Sequence, residues 1–242
     1  MVRLIYGEMY RLLRKKSMYI YFCALAAAYV FLIFIRSGGF TAESVTNDAV
    51  TFFWLLPAFI GGYLFAAVYT DDLNSKNLIA LVGFGVRKTE IVTAKFIIMT
   101  ILSIVFFGIA PLFHCAVYAA LGWPIIAGTL GTVYAAAVKF LLMTVVFSVL
   151  SGIAVYGLQR ATFAIVLYIL LAFGVAGSLL TMALRTFAPN LVKYLISGIT
   201  DRIFSGMTGG GSLIGPITEY IIYVVTAAAV SILAFHKKEM EF

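Results

Sequence analysis

Charged residues are scarce in this sequence, since only 11% of its 242 residues are Asp, Glu, Lys or Arg. Soluble domains have about 25% charged and about 45 to 50% apolar residues. Here 63% of the residues are hydrophobic and the mean hydropathy is +1.08. This composition excludes an ordinary soluble domain and indicates an integral membrane protein. The apolar residues form long runs, which favours helices across about 30 Å of hydrocarbon over the short alternating segments of a β-barrel.

Residues that carry catalytic chemistry are also few. The two cysteines, Cys23 and Cys115, lie in apolar runs, and no metal-ligand spacing is present. No G-x-x-x-x-G-K-[ST] sequence occurs, and GGGSLIGP at 209–216 lacks the following Lys-Ser or Lys-Thr of a phosphate loop. His114 is the single histidine within the apolar runs, so the paired Glu and His of an intramembrane metalloenzyme are missing. We therefore expect no enzyme activity, metal or cofactor in this chain.

Six apolar runs are long enough to cross a membrane. They are residues 18–35, 51–69, 97–119, 132–156, 163–184 and 216–235. The first run is longer than the apolar part of a signal peptide, which predicts a retained span. An even number of spans puts both termini on one side. Of the 17 bases, twelve lie on that side, four lie on the other and Lys139 lies within a run, so the positive-inside rule predicts cytoplasmic termini. This topology explains the net charge of +7 without nucleic-acid binding.

Two polar segments outside these runs have helical periodicity. In residues 1–16, apolar residues recur at helical spacing between bases, which predicts an amphipathic helix on the cytoplasmic membrane surface. A frayed basic tail is the alternative. In the outer segment 185–215, a second amphipathic helix is predicted from the i, i+3, i+4, i+7 spacing of its apolar residues. Those residues are Val192, Leu195, Ile196, Ile199 and Ile203.

The polar stretch DDLNSKNLIALVGFGVRKTEIVTAKF, residues 71–96, separates the second and third runs. Asp72 is a suitable N-cap, and Gly83-Phe84-Gly85 offers the backbone freedom that a helix end requires. Between them the spacing predicts a short helix with Leu78, Leu81 and Val82 on one face. This helix is expected to lie parallel to the membrane on the cytoplasmic side. A helix that only floats among lipid headgroups is the alternative.

The order of residues in 71–96 resembles the segment that follows the second span of ABC-2 type permeases, where it forms the coupling helix. The matching positions are Asp72, Asn77-Leu78-Ile79-Ala80-Leu81, Gly85-Val86-Arg87, Ile91 and Lys95. The sequence departs from the family at Gly83–Val86, where a proline is common. The layout of residues 1–242 as a single permease domain is also similar, and is most like that of bacterial peptide exporters. These include Gram-positive bacteriocin immunity systems and phenol-soluble modulin exporters.

This resemblance implies the membrane subunit of an exporter in the cytoplasmic membrane. Two permeases, expected to be identical copies, would join two ATPase subunits that hold ATP and magnesium. The cargo of such systems is a hydrophobic or amphipathic peptide. The resemblance also implies that Leu78, Leu81 and Val82 fill a groove in the ATPase. Asp72, Arg87 and Lys88 would then pair at the rim of that groove.

Three ionisable residues fall within predicted spans, where charge is unfavourable and therefore indicates function. His114, Lys139 and Glu219 are all expected in the outer half of the membrane, where Glu219 could neutralise Lys139 and the three could line a substrate path. Alternatively, Lys139 extends to the interface alone and Glu219 lies near a helix N-terminus. A proton-coupled secondary transporter using these residues remains an alternative function, although no internal repeat supports it. A structural or assembly role is also open.

Overall fold

The computed structural model describes residues 1–35, 42–70, 73, 77–122 and 127–237. Side chains at 42–44, 77–79 and 127 lie outside this description. The described residues form helices and contain no strand, as expected for an all-α protein. The helices are α1 (Val2–Leu13), α2 (Lys16–Ile35), α3 (Ala42–Phe53), α4 (Gly62–Phe65), α5 (Asn77–Gly83), α6 (Lys88–Ala120), α7 (Ala127–Leu158), α8 (Ala161–Ala172), α9 (Val175–Phe187), α10 (Ile196–Gly209) and α11 (Ile214–Lys237).

Five stretches of the described chain are long and apolar enough to cross a membrane. They are Lys16–Ile35, Val45–Thr70, Lys88–Ala120, Gly128–Leu158 and Ile214–Lys237. The pair α8 and α9 makes a sixth if its two halves are counted as one bent span. A multi-pass membrane protein is therefore confirmed. The helices α6 and α7 contain the third and fourth predicted spans, 97–119 and 132–156, and extend beyond them at both ends.

Helix α7 is the centre of the bundle. It packs against α3, α6, α8, α10 and α11, and 61% of its most apolar window is buried. The corresponding share is 11% for both α2 and α11. Hydrophobic residues exposed on all sides of a helix are stable in hydrocarbon but not in water. The outward-facing surfaces of α2 and α11 are therefore the parts of the fold best suited to lipid contact.

The second candidate span changes its helical pitch after Pro57. A π-helical turn, Pro57–Gly61, is followed by α4 and a second π turn, Ala66–Thr70. Proline has no backbone N–H and disturbs the regular i to i−4 ladder, so a wider turn is a common response. The buried hydroxyl of Tyr168 on α8 donates to the carbonyl oxygen of Pro57 at 3.0 Å. This bond joins the irregular turn to the neighbouring helix.

The fifth predicted span, 163–184, is not a continuous helix. Helix α8 ends at Ala172, α9 begins at Val175, and the two axes differ by 61°. Gly174 adopts a left-handed backbone conformation with φ of +72°, which glycine reaches without the steric conflict that a Cβ introduces. Their 12 and 13 residues correspond to helices about 18 Å and 20 Å long. Neither half alone is long enough for about 30 Å of hydrocarbon.

Candidate functional site

Part of the predicted coupling segment lies outside the described residues. Asp72 is among the residues that are not described, and for Leu78 only the backbone is. The helix itself, α5, spans Asn77–Gly83. It ends as the sequence predicted: Gly85 has φ of +81° and its N–H donates to the carbonyl of Val82 at 2.9 Å. The N–H of Val86 donates to Leu81, which completes the six-residue hydrogen-bonded loop of a Schellman motif.

The apolar residue exposed at this turn is Phe84. Its exposed fraction is 85%, whereas Leu81 and Val82 are half-buried and pack against the core of the chain. Leu81 and Val82 thus contact the core of this chain, and their expected entry into a partner stays a prediction. The Schellman turn accounts for the placement, because it brings Leu81 and Val86 to the inner side and leaves Phe84 at the tip.

Lys88 also differs from its expected role. Its ammonium donates to the carbonyl oxygen of Phe235, near the end of α11, at 3.0 Å. The same ammonium lies 5.2 Å from the centre of the Phe235 ring. Lys88 thus connects the first residue of α6 to the last turn of α11, where cations complement the helix dipole. Arg87, the N-cap residue of α6, is exposed and remains available for a rim contact.

The N-terminal helix α1 packs beside this loop. Glu8 on α1 forms an ion pair with Lys95 on α6 at 2.8 Å, and the Lys95 side chain is only 2% exposed. Arg11 contacts the same carboxylate oxygen at 2.7 Å. Sequence reasoning included Lys95 in the coupling segment but missed its partner. A signal was present, because Glu8 is the only acid before residue 43.

At the other end of the bundle, Lys139 and Glu219 have different partners from the one predicted. Lys139 on α7 pairs with Asp201 at 2.6 Å. Glu219 on α11 pairs with the guanidinium of Arg202, and the second oxygen of the carboxylate lies 3.3 Å from its Nη1. Asp201 and Arg202 are consecutive residues of α10, so one helix supplies a counter-ion to each of two neighbours. The hydrogen bond to Glu219 raises the pKa of Arg202 above its ordinary value.

His114 belongs to a third set of contacts. Its ring is fully buried; Nδ1 contacts the Tyr29 hydroxyl and Nε2 lies 3.1 Å from the carbonyl oxygen of Val45. One helical turn further along α6, the Tyr118 hydroxyl donates to Asp48 at 2.9 Å. Packing of α6 against α2 and α3 thus satisfies His114. The expected cluster of His114, Lys139 and Glu219 is replaced by separate contacts for each residue.

A cavity of about 720 Å³ lies at the break between α8 and α9. It is an open cavity bordered by α7, α8, α9, α10 and α11, with Trp54, between α3 and the π turn, on one side. Residues 174, 177, 178, 181 and 185 share one face of α9 because of the helical repeat. They are Gly174, Gly177, Ser178, Thr181 and Arg185, and all of them line the cavity. Val175 and Leu179 of α9 do not line the cavity and are exposed.

Comparison with models of known protein families, with curated proteins and with solved structures found no match to this chain. The described residues contain no group of three or more His, Cys, Asp or Glu side chains placed to hold a metal ion. Two features of the described chain bear on its function: the exposed turn at Phe84 and the cavity beside Gly174. Sequence analysis found the first as a segment and missed the second. Gly174 and Gly177 within an apolar run were the available signal.

Proposed function

We propose that this chain is the membrane subunit of an ATP-driven ABC exporter that receives its energy from a separate ATPase subunit. The observation that carries the proposal is Phe84, an 85% exposed aromatic residue at a rigid turn between two candidate spans. Aromatic residues are enriched among the anchors that contribute most to protein interfaces. Exposed Arg87 lies three residues further on and supplies a charge for the rim of the same contact.

The contacts around this turn provide a route from the partner to the spans. Leu81 and Val82 attach α5 to the core, so a displacement at Phe84 acts on packed residues. Lys88 extends the connection to α11 through the carbonyl of Phe235. Lys95 extends it to α1 through Glu8. ATP-driven movement of a subunit bound at Phe84 would thereby act on three helices together.

The proposed assembly contains two ATPase subunits, which bind ATP and magnesium, and a second permease, in the simplest case another copy of this chain. It resides in the cytoplasmic membrane of a bacterium with both termini in the cytoplasm, as the twelve-to-four distribution of bases favours. The cargo is a hydrophobic or amphipathic molecule. The resemblance to ABC-2 type permeases favours peptides.

The test is purification of the tagged chain from its native membrane in mild detergent, with mass spectrometry and an ATPase assay of the eluate. The informative variant is Phe84→Asp, because Phe84 is exposed and outside the buried core, so its replacement should leave the fold intact. Leu81→Asp is less suitable since Leu81 is packed against the core. Phe187→Asp is the matched control: Phe187 is 87% exposed and is the last residue of α9, remote in sequence from the coupling turn.

We expect an ATPase with Walker motifs to co-purify with the wild-type chain and with Phe187→Asp, and to be lost with Phe84→Asp. Equal recovery of the ATPase and equal stimulation of ATP hydrolysis in all three would overturn the proposal. Purification of the wild-type chain alone, together with proton-dependent flux in liposomes, would instead support a secondary transporter. The ion pairs of Lys139 and Glu219 give that alternative less support than the sequence did.

A further inference from the structure

The cavity beside Gly174 has an apolar part and a polar part. Its apolar lining comes from large side chains of five helices, including Phe147 and Leu150 of α7, Leu171 of α8 and Tyr223 of α11. Its polar lining comes mostly from α9 and includes Arg185, two residues before the end of that helix, with Thr186 beside it and Ser197 of α10. From Gly174 to Arg185 is eleven residues, or about 16 Å along the helix axis. A ligand that fits this cavity is long, mostly apolar and polar at one end.

Arg185 determines the charge expected at that polar end. The guanidinium makes no hydrogen bond or ion pair with any residue in the described ranges, although it borders an apolar cavity. By contrast, Lys139 of α7 and Arg202 of α10, two bases at the same end of the bundle, each form an ion pair with an acid. Arg185 is exposed at the edge of the cavity, so its guanidinium is accessible to a headgroup there, and an acidic group would accept charge-assisted hydrogen bonds from it. The unpaired cation therefore favours an acidic headgroup.

The hydroxyl groups along α9 argue against an extended peptide as the ligand. Ser178 donates to Val175 at 2.9 Å, Thr181 donates to Gly177 at 2.8 Å, and Thr186 donates to Met182 at 3.2 Å. Their hydrogens are therefore used within the helix. A peptide backbone in the cavity would bury several amide and carbonyl groups with few partners, and each unsatisfied group is unfavourable. An acyl chain has no such groups.

We propose that this cavity binds a single-chain anionic amphiphile, with its acyl chain along α9 and its acidic headgroup at Arg185. The headgroup is a carboxylate or a phosphate, since both accept two hydrogen bonds from a guanidinium. The identification of this ligand as the exported cargo rests on the proposed transport function. Binding itself requires neither ATP nor an ATPase.

The test uses the purified full-length chain in detergent and a nitroxide-labelled stearate, whose immobilisation is followed by electron paramagnetic resonance at pH 8. Arg185→Gln removes the headgroup contact. Gly177→Leu fills the cavity, because a Cβ at Gly177 meets no atom within 4 Å and there is space for the side chain. The matched controls are Lys193→Gln, a nearby base whose ammonium lies over Tyr194, and Gly131→Leu, an open glycine on α7 that does not line the cavity.

We expect saturable binding to the wild-type chain and to both controls. Arg185→Gln should weaken binding by about 10- to 100-fold, the usual effect of losing a hydrogen bond to a charged group, and Gly177→Leu should abolish it. Unlabelled stearate and a lysophosphatidic acid serve as competitors, and the stronger one identifies the carboxylate or the phosphate.

Three results would overturn the proposal: no saturable binding, equal affinity of the wild-type chain and Arg185→Gln, or equal competition by zwitterionic lysophosphatidylcholine. If an acidic amphipathic peptide binds and stearate does not, the ligand of the cavity is a peptide and not an acyl chain. All these measurements are made on the chain alone. Failure to bind the amphiphile is therefore distinguishable from failure to recruit an ATPase.

Discussion

The ion pairs at α10 show how single residues organise this end of the bundle. Asp201 is 58% exposed at its side chain and Lys139 is 20% exposed, so water screens their attraction. Lys139 nevertheless lies close to the rings of Phe140 and Phe204, at 5.3 and 5.7 Å from their centres. Loss of Asp201 leaves this cation in apolar surroundings. Asp201 therefore stabilises the fold more by neutralising the Lys139 cation in apolar surroundings than by the screened attraction between the two charges.

We therefore predict that Asp201→Asn and Lys139→Met have non-additive effects on stability. Asp201→Asn alone should lower the free energy of unfolding by about 0.5–1 kcal/mol, a value that allows for the exposure of the pair. In the Lys139→Met background the same change should have little effect. The measurement is thermal unfolding of the four proteins in one detergent. The control is the combination of Glu219→Gln with Lys139→Met. A coupling free energy for this combination larger than that for Asp201→Asn with Lys139→Met would contradict the observed pairing.

At the scale of residues, the sequence identified which groups matter but not their partners. His114, Lys139 and Glu219 could be selected because each interrupts an apolar run. The partners of Lys139 and Glu219 are Asp201 and Arg202, which are adjacent in sequence and point about 100° apart around α10. Which of the two reaches α7 and which reaches α11 depends on how α10 packs against them. No local pattern contains that information.

At the scale of elements, the junction between the π turn and α8 depends on one small residue. A Cβ added to Gly61 would overlap the Tyr168 hydroxyl and lie 2.8 Å from Cγ2 of Thr144. Tyr168 is fully buried and cannot move without losing its hydrogen bond to Pro57. Close packing of this kind tolerates extra volume poorly. The neighbouring Gly62 has more space, since its Cβ would lie 3.8 Å from the Tyr168 ring.

We therefore predict that Gly61→Ala destabilises the protein by about 2–4 kcal/mol, from overpacking and the loss of a buried hydrogen bond. Gly62→Ala, the matched control, should have a much smaller effect. Removal of the hydroxyl in Gly61→Ala/Tyr168→Phe should restore part of the lost stability. The midpoint of thermal unfolding in detergent measures all three. Equal midpoints for Gly61→Ala and Gly62→Ala would show that this contact is not close.

The elements also show why the sequence was a better guide to some helices than to others. The end of α5 was predictable because the turn chemistry of Gly83-Phe84-Gly85 is local. The break between α8 and α9 was not, because apolar residues continue on both sides of it and hydropathy does not distinguish one helix from two. The direction in which Leu81 points was equally hidden, since either face of α5 could meet the core.

At the scale of the whole molecule, the bent pair decides the topology. If α8 and α9 together cross the membrane, there are six spans and Phe187 lies on the side opposite the N-terminus. If they enter and return on the same side, there are five spans and Phe187 lies on the same side as Val2. Contacts of α10, which follows the bent pair, favour six spans: Asp201 pairs with Lys139, nineteen residues before the end of α7 at Leu158, whereas α8 begins three residues after that end.

Cysteine labelling tests this topology directly. Cys23 and Cys115 are first replaced, and Val2→Cys and Phe187→Cys are then introduced separately at sites that are 80% and 87% exposed. We expect a membrane-impermeant maleimide to label Phe187→Cys in intact cells and to label Val2→Cys only after permeabilisation. Neither change alters a charge, so the topological signal is preserved. Protection of both sites in intact cells would indicate five spans.

The bend at Gly174 also affects how far the chain reaches through a bilayer. At 61° the outer ends of α8 and α9 lie about 32 Å apart, compared with about 38 Å for a straight helix of the same 25 residues. The bent length is close to the thickness of an ordinary hydrocarbon layer, and a mismatch in thickness is commonly relieved by tilting or kinking. A thinner bilayer would sharpen the angle, and a thicker one would open it. Lipid composition would therefore change the width of the cavity at the corner of the bend without any contact to the cavity itself.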